Sequence, residues 1–141
     1  MENQKNRSLP LSRSRTFKLK LSPFGAGQFL ECHIRLARLT SRFLPYGATL
    51  LVGIHLLQEA GAQAVSDELS LPETARIIGG LEYFVGAPGS MHQICGELIA
   101  RLDGQADRDG RITMTMIYAA AIAVMMTAED VSLVRIYNSL R

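Results

Sequence analysis

Apolar and polar side chains alternate near the start of the chain, over residues 15–21. The apolar positions are Phe17, Leu19 and Leu21, and the polar positions between them are Thr16, Lys18 and Lys20. Because successive side chains of a strand point to opposite faces, this period of two predicts a β-strand with one buried face. Residues 1–13 show no period and contain Pro10, which predicts a flexible basic arm.

Two helices are predicted after this strand. Ser22 and Pro23 form a helix start, because serine caps the first turn and proline at the first helical position loses no hydrogen bond. This helix is expected to run to about residue 43, before Pro45 interrupts it. A second helix is expected from about residue 48 to residue 60. Its residues 49–57 are apolar on nearly every side, so they must be buried, and self-association would supply the covering surface.

The rest of the chain is predicted to be mostly helical. Residues 62–70 are polar and indicate a connection between two modules. Helices are expected from Pro72, over residues 90–102 and at the C-terminus, whereas residues 112–118 fit either a short strand or a helix. The predicted fold class is therefore mainly α, with a short N-terminal β-strand followed by two helices and then a helical C-terminal region.

Composition supports a folded protein with an uneven charge. Of 141 residues, 48% are apolar, which is enough for a packed core. Residues 1–20 carry six basic side chains and one acid, whereas the remainder carries nine arginines and twelve acids. A basic segment ahead of an acidic body favours contact with a polyanion. The alternative is a solvated basic tail that aids solubility.

Membrane and export signals are weak. Residues 1–20 lack the continuous apolar run of a secretory signal. The longest apolar stretch, residues 112–128, contains three threonines and is short for a bilayer, so a buried core segment is expected. The two cysteines cannot form a disulfide framework and suit a reducing compartment. We therefore expect a cytoplasmic protein with no membrane partner.

Candidate metal and catalytic groups are incomplete. Residues 105–112 are similar to part of a calcium-binding loop, but Gln105 and Met116 stand where carboxylate ligands are needed. The residues that remain for zinc lack the spaced pairs of a structural site. These residues are Cys32, His33, His92 and Cys95. No carboxylate has a spacing that requires an acid–base role beside Cys95 or His92. We expect no metal, no cofactor and no enzymatic activity.

The order strand–helix–helix over residues 14–61 resembles the ribbon-helix-helix family of bacterial and plasmid DNA-binding proteins. The alternation at 15–21, the helix start at Ser22 and the apolar second helix carry this resemblance. It implies a homodimer or higher oligomer in which two copies pair their strands and insert the ribbon into the major groove of DNA. The family's first helix is shorter, so the resemblance implies that residues 23–27 form a loop and that the helix starts near Gln28.

The resemblance also implies a set of DNA contacts. Base edges would be read by Thr16, Lys18 and Lys20. A phosphate would be anchored at the start of the second helix, by Gly47, Ala48 and Thr49. Arg13 and Arg15 would contact phosphates from the arm.

These expectations lead to a function with one alternative. Residues 14–61 would bind DNA in a sequence-specific manner, as in a transcriptional repressor or a plasmid maintenance or transfer factor. Residues 67–141 would form an acidic helical domain for oligomerisation or partner contact. The alternative function is a protein-interaction adaptor that is helical throughout, has an unstructured basic arm and binds no nucleic acid. The alternative to the family resemblance is that residues 15–21 form an ordinary amphipathic strand of an α+β domain.

Overall fold

The computed structural model describes residues 14–104 and 110–141. Within these residues the fold is mainly α, as predicted. The elements are β1 (Ser14–Leu21), α1 (Pro23–Thr40), α2 (Tyr46–Ala60), α3 (Ala62–Leu69), α4 (Pro72–Ile77), β2 (Leu81–Pro88), α5 (Ser90–Asp103), α6 (Met114–Thr127) and α7 (Asp130–Ser139). None of these helices combines the length and the apolarity needed to cross a membrane.

The alternation at the start of the chain forms the predicted strand. Phe17, Leu19 and Leu21 are buried, whereas the polar residues between them are exposed. β1 pairs antiparallel with β2 of the same chain, in a register that joins Ser14 to Pro88 and Leu21 to Leu81. Strand pairing between two copies was expected, and the described sheet instead obtains its second strand from residues 81–88, which the sequence analysis did not assign to a strand.

Helix α1 begins where its capping signals predict. The Ser22 hydroxyl accepts a hydrogen bond from the Gly25 amide, and Pro23 occupies the first turn. The helix therefore does not start at Gln28, the alternative that fitted the family. Gly25 is needed because a Cβ there would lie 2.1 Å from the Ile77 carbonyl oxygen of α4. The helix ends at Thr40, three residues before the expected end, because Ser41 adopts a left-handed conformation with φ of 56°.

Helix α2 is buried on nearly all sides, as expected, but the covering surface comes from its own chain. Leu50, Val52 and Leu57 are fully buried. A Cβ at Gly53 would lie 2.8 Å from the Met125 methyl carbon and 3.1 Å from the Ala121 Cβ, so α2 and α6 pack closely. Small residues at the crossing allow this approach. Self-association is therefore not needed to bury α2.

Two ambiguous segments are helical. The polar residues expected to form a connection instead form α3, which turns Val65 into the core. Residues 112–118, which fitted a strand or a helix, lead into α6, whose Thr113 hydroxyl accepts a hydrogen bond from the Met116 amide. One hydrophobic core unites residues from both predicted regions, among them Leu19, Leu50 and Ile122. The predicted arm, residues 1–13, lies outside the described residues.

Candidate nucleic-acid interface

The outer face of the β1–β2 sheet is exposed along its length. Helices pack on the side where Phe17, Leu19 and Leu21 point, which leaves the opposite side to solvent. We call this side the ribbon face. Its central members are Thr16, Lys18 and Lys20 from β1 and Glu82, Phe84 and Gly86 from β2. In the register of the sheet, Thr16 lies opposite Gly86, Lys18 opposite Phe84 and Lys20 opposite Glu82.

The charge of the ribbon face is positive but partly compensated. The Lys18 ammonium lies 3.8 Å from a Glu82 carboxylate oxygen, and each side chain is 47% exposed. An exposed ion pair of this kind contributes about 0–1 kcal/mol, because water and salt screen it. The two lysines therefore stay available to an external anion. Phe84 stands beside them with 64% of its surface exposed.

Sequence reasoning missed the contribution of β2 to this face. Leu81, Tyr83, Val85 and Ala87 form the inner set of an alternation, but Phe84 interrupts it with an apolar residue on the outer side. The two adjacent aromatic residues, Tyr83 and Phe84, therefore break the alternation that would have predicted a strand.

Arg15 does not lie on the ribbon face. The alternation places it on the same side as Phe17, and its guanidinium lies 5.9 Å from the Phe17 ring centroid. The structure therefore separates Arg15 from Lys18 and Lys20. Arg13 lies outside the described residues.

The start of α2 lies against β2 and not on the ribbon face. A Cβ at Gly47 would lie 1.7 Å from the Gly86 carbonyl oxygen, so only glycine allows this approach. Thr49 is fully buried, and its hydroxyl oxygen lies 2.7 Å from Nδ1 of His33. Ala48 between them is half-buried. The side chain of Thr49 is thus used inside the fold, away from the two lysines.

A second surface lies at the edge of the sheet. Between α1 and β2 there is an apolar groove of about 240 Å³. Its walls include Ala26, Phe29, Leu30, Tyr46, Tyr83 and Phe84. The Tyr46 ring is held by His33, whose ring centroid lies 4.4 Å away. Burial lowers the pKa of His33, which keeps the imidazole neutral at pH 7.

Two arginines of α1, Arg35 and Arg38, have different surroundings. Arg35 donates hydrogen bonds to the carbonyl oxygens of Met125 and Ala128 at the end of α6, and its Nε donates to Asp130 at 2.7 Å. Arg35 therefore joins α1 to the α6–α7 connection. Arg38 is exposed and has no ion-pair partner among the described residues.

The cysteines and histidines do not assemble a site in the described residues. Cys32 and Cys95 are buried, and burial raises their pKa values to about 11 and about 12, so both stay protonated at neutral pH. His92 is exposed on α5, whereas Cys95 faces the core. Over residues 14–104 and 110–141, no group of three or more His, Cys, Asp or Glu side chains could hold a metal ion. Most of the calcium-like loop, residues 105–109, lies outside the described part.

Comparisons with known proteins leave the function to be argued from these surfaces. A scan against protein-family models, a search of curated proteins and a search of solved structures each found no match to this chain. The ribbon-helix-helix resemblance stays a prediction.

Proposed function

We propose that this protein binds duplex DNA through the ribbon face and acts as a sequence-specific DNA-binding protein. The observation that carries the proposal is an antiparallel two-stranded ribbon whose outer side is open to solvent and carries Lys18 and Lys20 on alternate positions. Strands in such a ribbon lie about 4.8 Å apart. The major groove is about 12 Å wide and accepts a two-stranded ribbon.

The side chains on the ribbon face have the chemistry for reading bases. A lysine ammonium donates to the O6 and N7 acceptors of guanine, and a threonine hydroxyl donates or accepts. The Phe84 ring offers an apolar surface of the kind that contacts the thymine methyl group. Positive charges in the first thirteen residues of the sequence, among them Lys5 and Arg7, would neutralise phosphates.

A single chain supplies both strands of the proposed ribbon. In the family that the sequence resembles, the second strand belongs to another copy, whereas here it is β2. The proposal therefore needs no second copy to form the groove-binding element. A repressor or a plasmid maintenance or transfer factor is the class of protein that this DNA contact would serve.

The experiment compares two double variants that remove the same charge. Lys18→Ala with Lys20→Ala removes both ribbon lysines, and Arg101→Ala with Arg111→Ala removes two exposed cations from other surfaces. Fluorescence anisotropy measures binding to a mixed-sequence duplex of about 20 base pairs, which is two helical turns. We expect the lysine variant to bind at least tenfold more weakly, since each lost base contact costs about 1–3 kcal/mol.

The salt dependence and the control complete the test. Wild-type affinity should fall steeply between about 50 and 200 mM salt, because bound phosphates release counterions. Circular dichroism should show both variants folded. Equal binding by the two double variants would contradict the assignment of the ribbon face.

A protein-interaction adaptor is the second candidate, and one observation favours it. Leu30 and Ile34 on α1 are 45% and 49% exposed, and Phe43 is fully exposed. Exposed apolar groups of this kind are typical of protein interfaces. If no duplex binding is detected at about 50 mM salt, where phosphate contacts are strongest, the adaptor function is the one to retain.

A further inference from the structure

Helix α1 carries a second, unpartnered face. After Pro23 in the first turn, its exposed positions are three or four residues apart, except for the adjacent Leu30 and Glu31, so they lie along one side of the helix. These positions are Gly27, Leu30, Glu31, Ile34 and Arg38. We call them the α1 stripe. Two large apolar residues lie at its centre, Glu31 lies on the N-terminal side and Arg38 on the C-terminal side.

The charges of the α1 stripe are opposite and lack ion-pair partners among the described residues. Glu31 and Arg38 are seven residues apart, which is two helical turns or about 10 Å along the axis. A two-fold axis through the midpoint, close to Ile34, would bring Glu31 of one copy against Arg38 of the other. The same operation places Ile34 against Ile34. The stripe is therefore complementary to itself in an antiparallel arrangement.

A protruding side chain and an apolar groove lie at opposite ends of the same helix. Phe43 follows α1, and its ring is fully exposed in the described part of the chain. The groove beside Ala26 and Leu30 lies toward the N-terminal half of α1. Phe43 lies beyond the C-terminal end of α1, and the groove lies beside its N-terminal half.

We propose that two copies of this chain associate through antiparallel α1 stripes, with Phe43 of each copy inserted into the apolar groove of the other. Such an isologous interface satisfies the charges and buries the exposed apolar groups in a single step. A buried Phe removes about 150–250 Å² of surface from water, which makes Phe43 the expected anchor. The occupant of the groove is therefore a second copy. The interface includes neither Lys18 nor Lys20 of the ribbon face, but it shares Phe84 with that face, because Phe84 also lines the groove.

Charge reversal tests the symmetry directly. Glu31→Arg places two cations opposite each other in a homodimer, and Arg38→Glu places two anions there. Sedimentation velocity should show that each variant alone dimerises at least tenfold more weakly than wild type. An equimolar mixture of the two variants should associate again, because each reversed charge then meets its opposite. A different protein partner, or a non-symmetric contact, would not produce this rescue.

Phe43→Ser tests the anchor, with Val131→Ser as its matched control. Val131 is 70% exposed on α7, away from the stripe. Neither change should alter the thermal midpoint of the monomer, because both side chains are solvent-exposed. We expect Phe43→Ser to weaken the dimer at least tenfold and Val131→Ser to leave it unchanged. A wild-type chain that stays monomeric up to about 100 µM, a range that covers weak but specific dimers, overturns the proposal. Failure of the charge-swapped mixture to associate overturns it as well.

Discussion

Arg35 should be the most costly surface arginine to remove. Its guanidinium donates to two main-chain carbonyl oxygens at the C-terminal end of α6, those of Met125 and Ala128, and to the carboxylate of Asp130. The last carbonyl groups of a helix lack the amide partners of its interior, and Arg35 supplies hydrogen bonds there, although the Met125 oxygen also accepts from the Ala128 amide at 3.3 Å. Arg35→Ala would therefore loosen the junction of three helices.

The loss of stability expected for Arg35→Ala depends on how exposed Arg35 and its partners are. The Arg35 side chain is 31% exposed, so water replaces part of what is lost, and each carbonyl contact is worth about 1 kcal/mol. Asp130 is 63% exposed, so its ion pair adds less than about 1 kcal/mol. The sum is about 2–3 kcal/mol, which for a chain of this size lowers the thermal midpoint by about 5–10 °C.

Urea unfolding followed by circular dichroism measures this difference. Asp130→Asn removes only the ion pair and should cost less than about 1 kcal/mol. Arg101→Ala is the control, since it removes an exposed arginine from α5 and should change the unfolding free energy by at most about 0.5 kcal/mol. If Arg35→Ala and Arg101→Ala have the same unfolding free energy, the capping role assigned to Arg35 is wrong.

Three further predictions concern packing, DNA affinity and pH. Gly47→Ala should destabilise the protein by about 2–3 kcal/mol, because its Cβ would overlap a β2 carbonyl. Gly96→Ala, at a position where nothing lies within 4 Å, should stabilise α5 by up to about 1 kcal/mol. Urea titrations that give the two variants the same unfolding free energy would contradict the packing. Glu82→Gln should tighten duplex binding, since it removes a carboxylate that pairs with Lys18 and repels the phosphates of the DNA; an unchanged anisotropy curve would count against the ribbon face. Burial lowers the pKa values of His33 and His55 from 6.5, so near and below this pH the unfolded chain binds more protons than the folded protein. The stability of the fold should therefore fall as the pH drops below about 6.5. A thermal unfolding midpoint that does not change with pH would contradict this prediction.

Local patterns predicted the elements whose reasons are local. The period of two in β1, the Ser22 cap and the all-round apolarity of α2 each depend on neighbouring residues, and each is confirmed. The end of α1 was missed by three residues, because a left-handed Ser41 carries no sequence signal as clear as a glycine.

Long-range partners could not be read from the sequence. Glu31 stands four residues before Arg35, which is the spacing of a helical ion pair, but the fold brings Asp130 to Arg35 instead. At Gly25 and Gly47 another segment's backbone comes within contact distance, and no local pattern indicates this. The sequence predicted only the β1 half of the ribbon face, because the alternation places Lys18 and Lys20 on the outer side of that strand. The β2 half arises from pairing with a distant segment, which no local pattern indicates.

Strand β1 is synthesised well before β2, the strand with which it pairs. Leu21 pairs with Leu81, sixty positions further along, and four helices lie between them. On a ribosome that adds about 5–20 residues per second, β1 would spend several seconds without its hydrogen-bonding neighbour. A polypeptide ending at residue 61 would contain both lysines and yet have no ribbon on which to display them. Any activity that needs this face thus appears only once translation has passed Pro88.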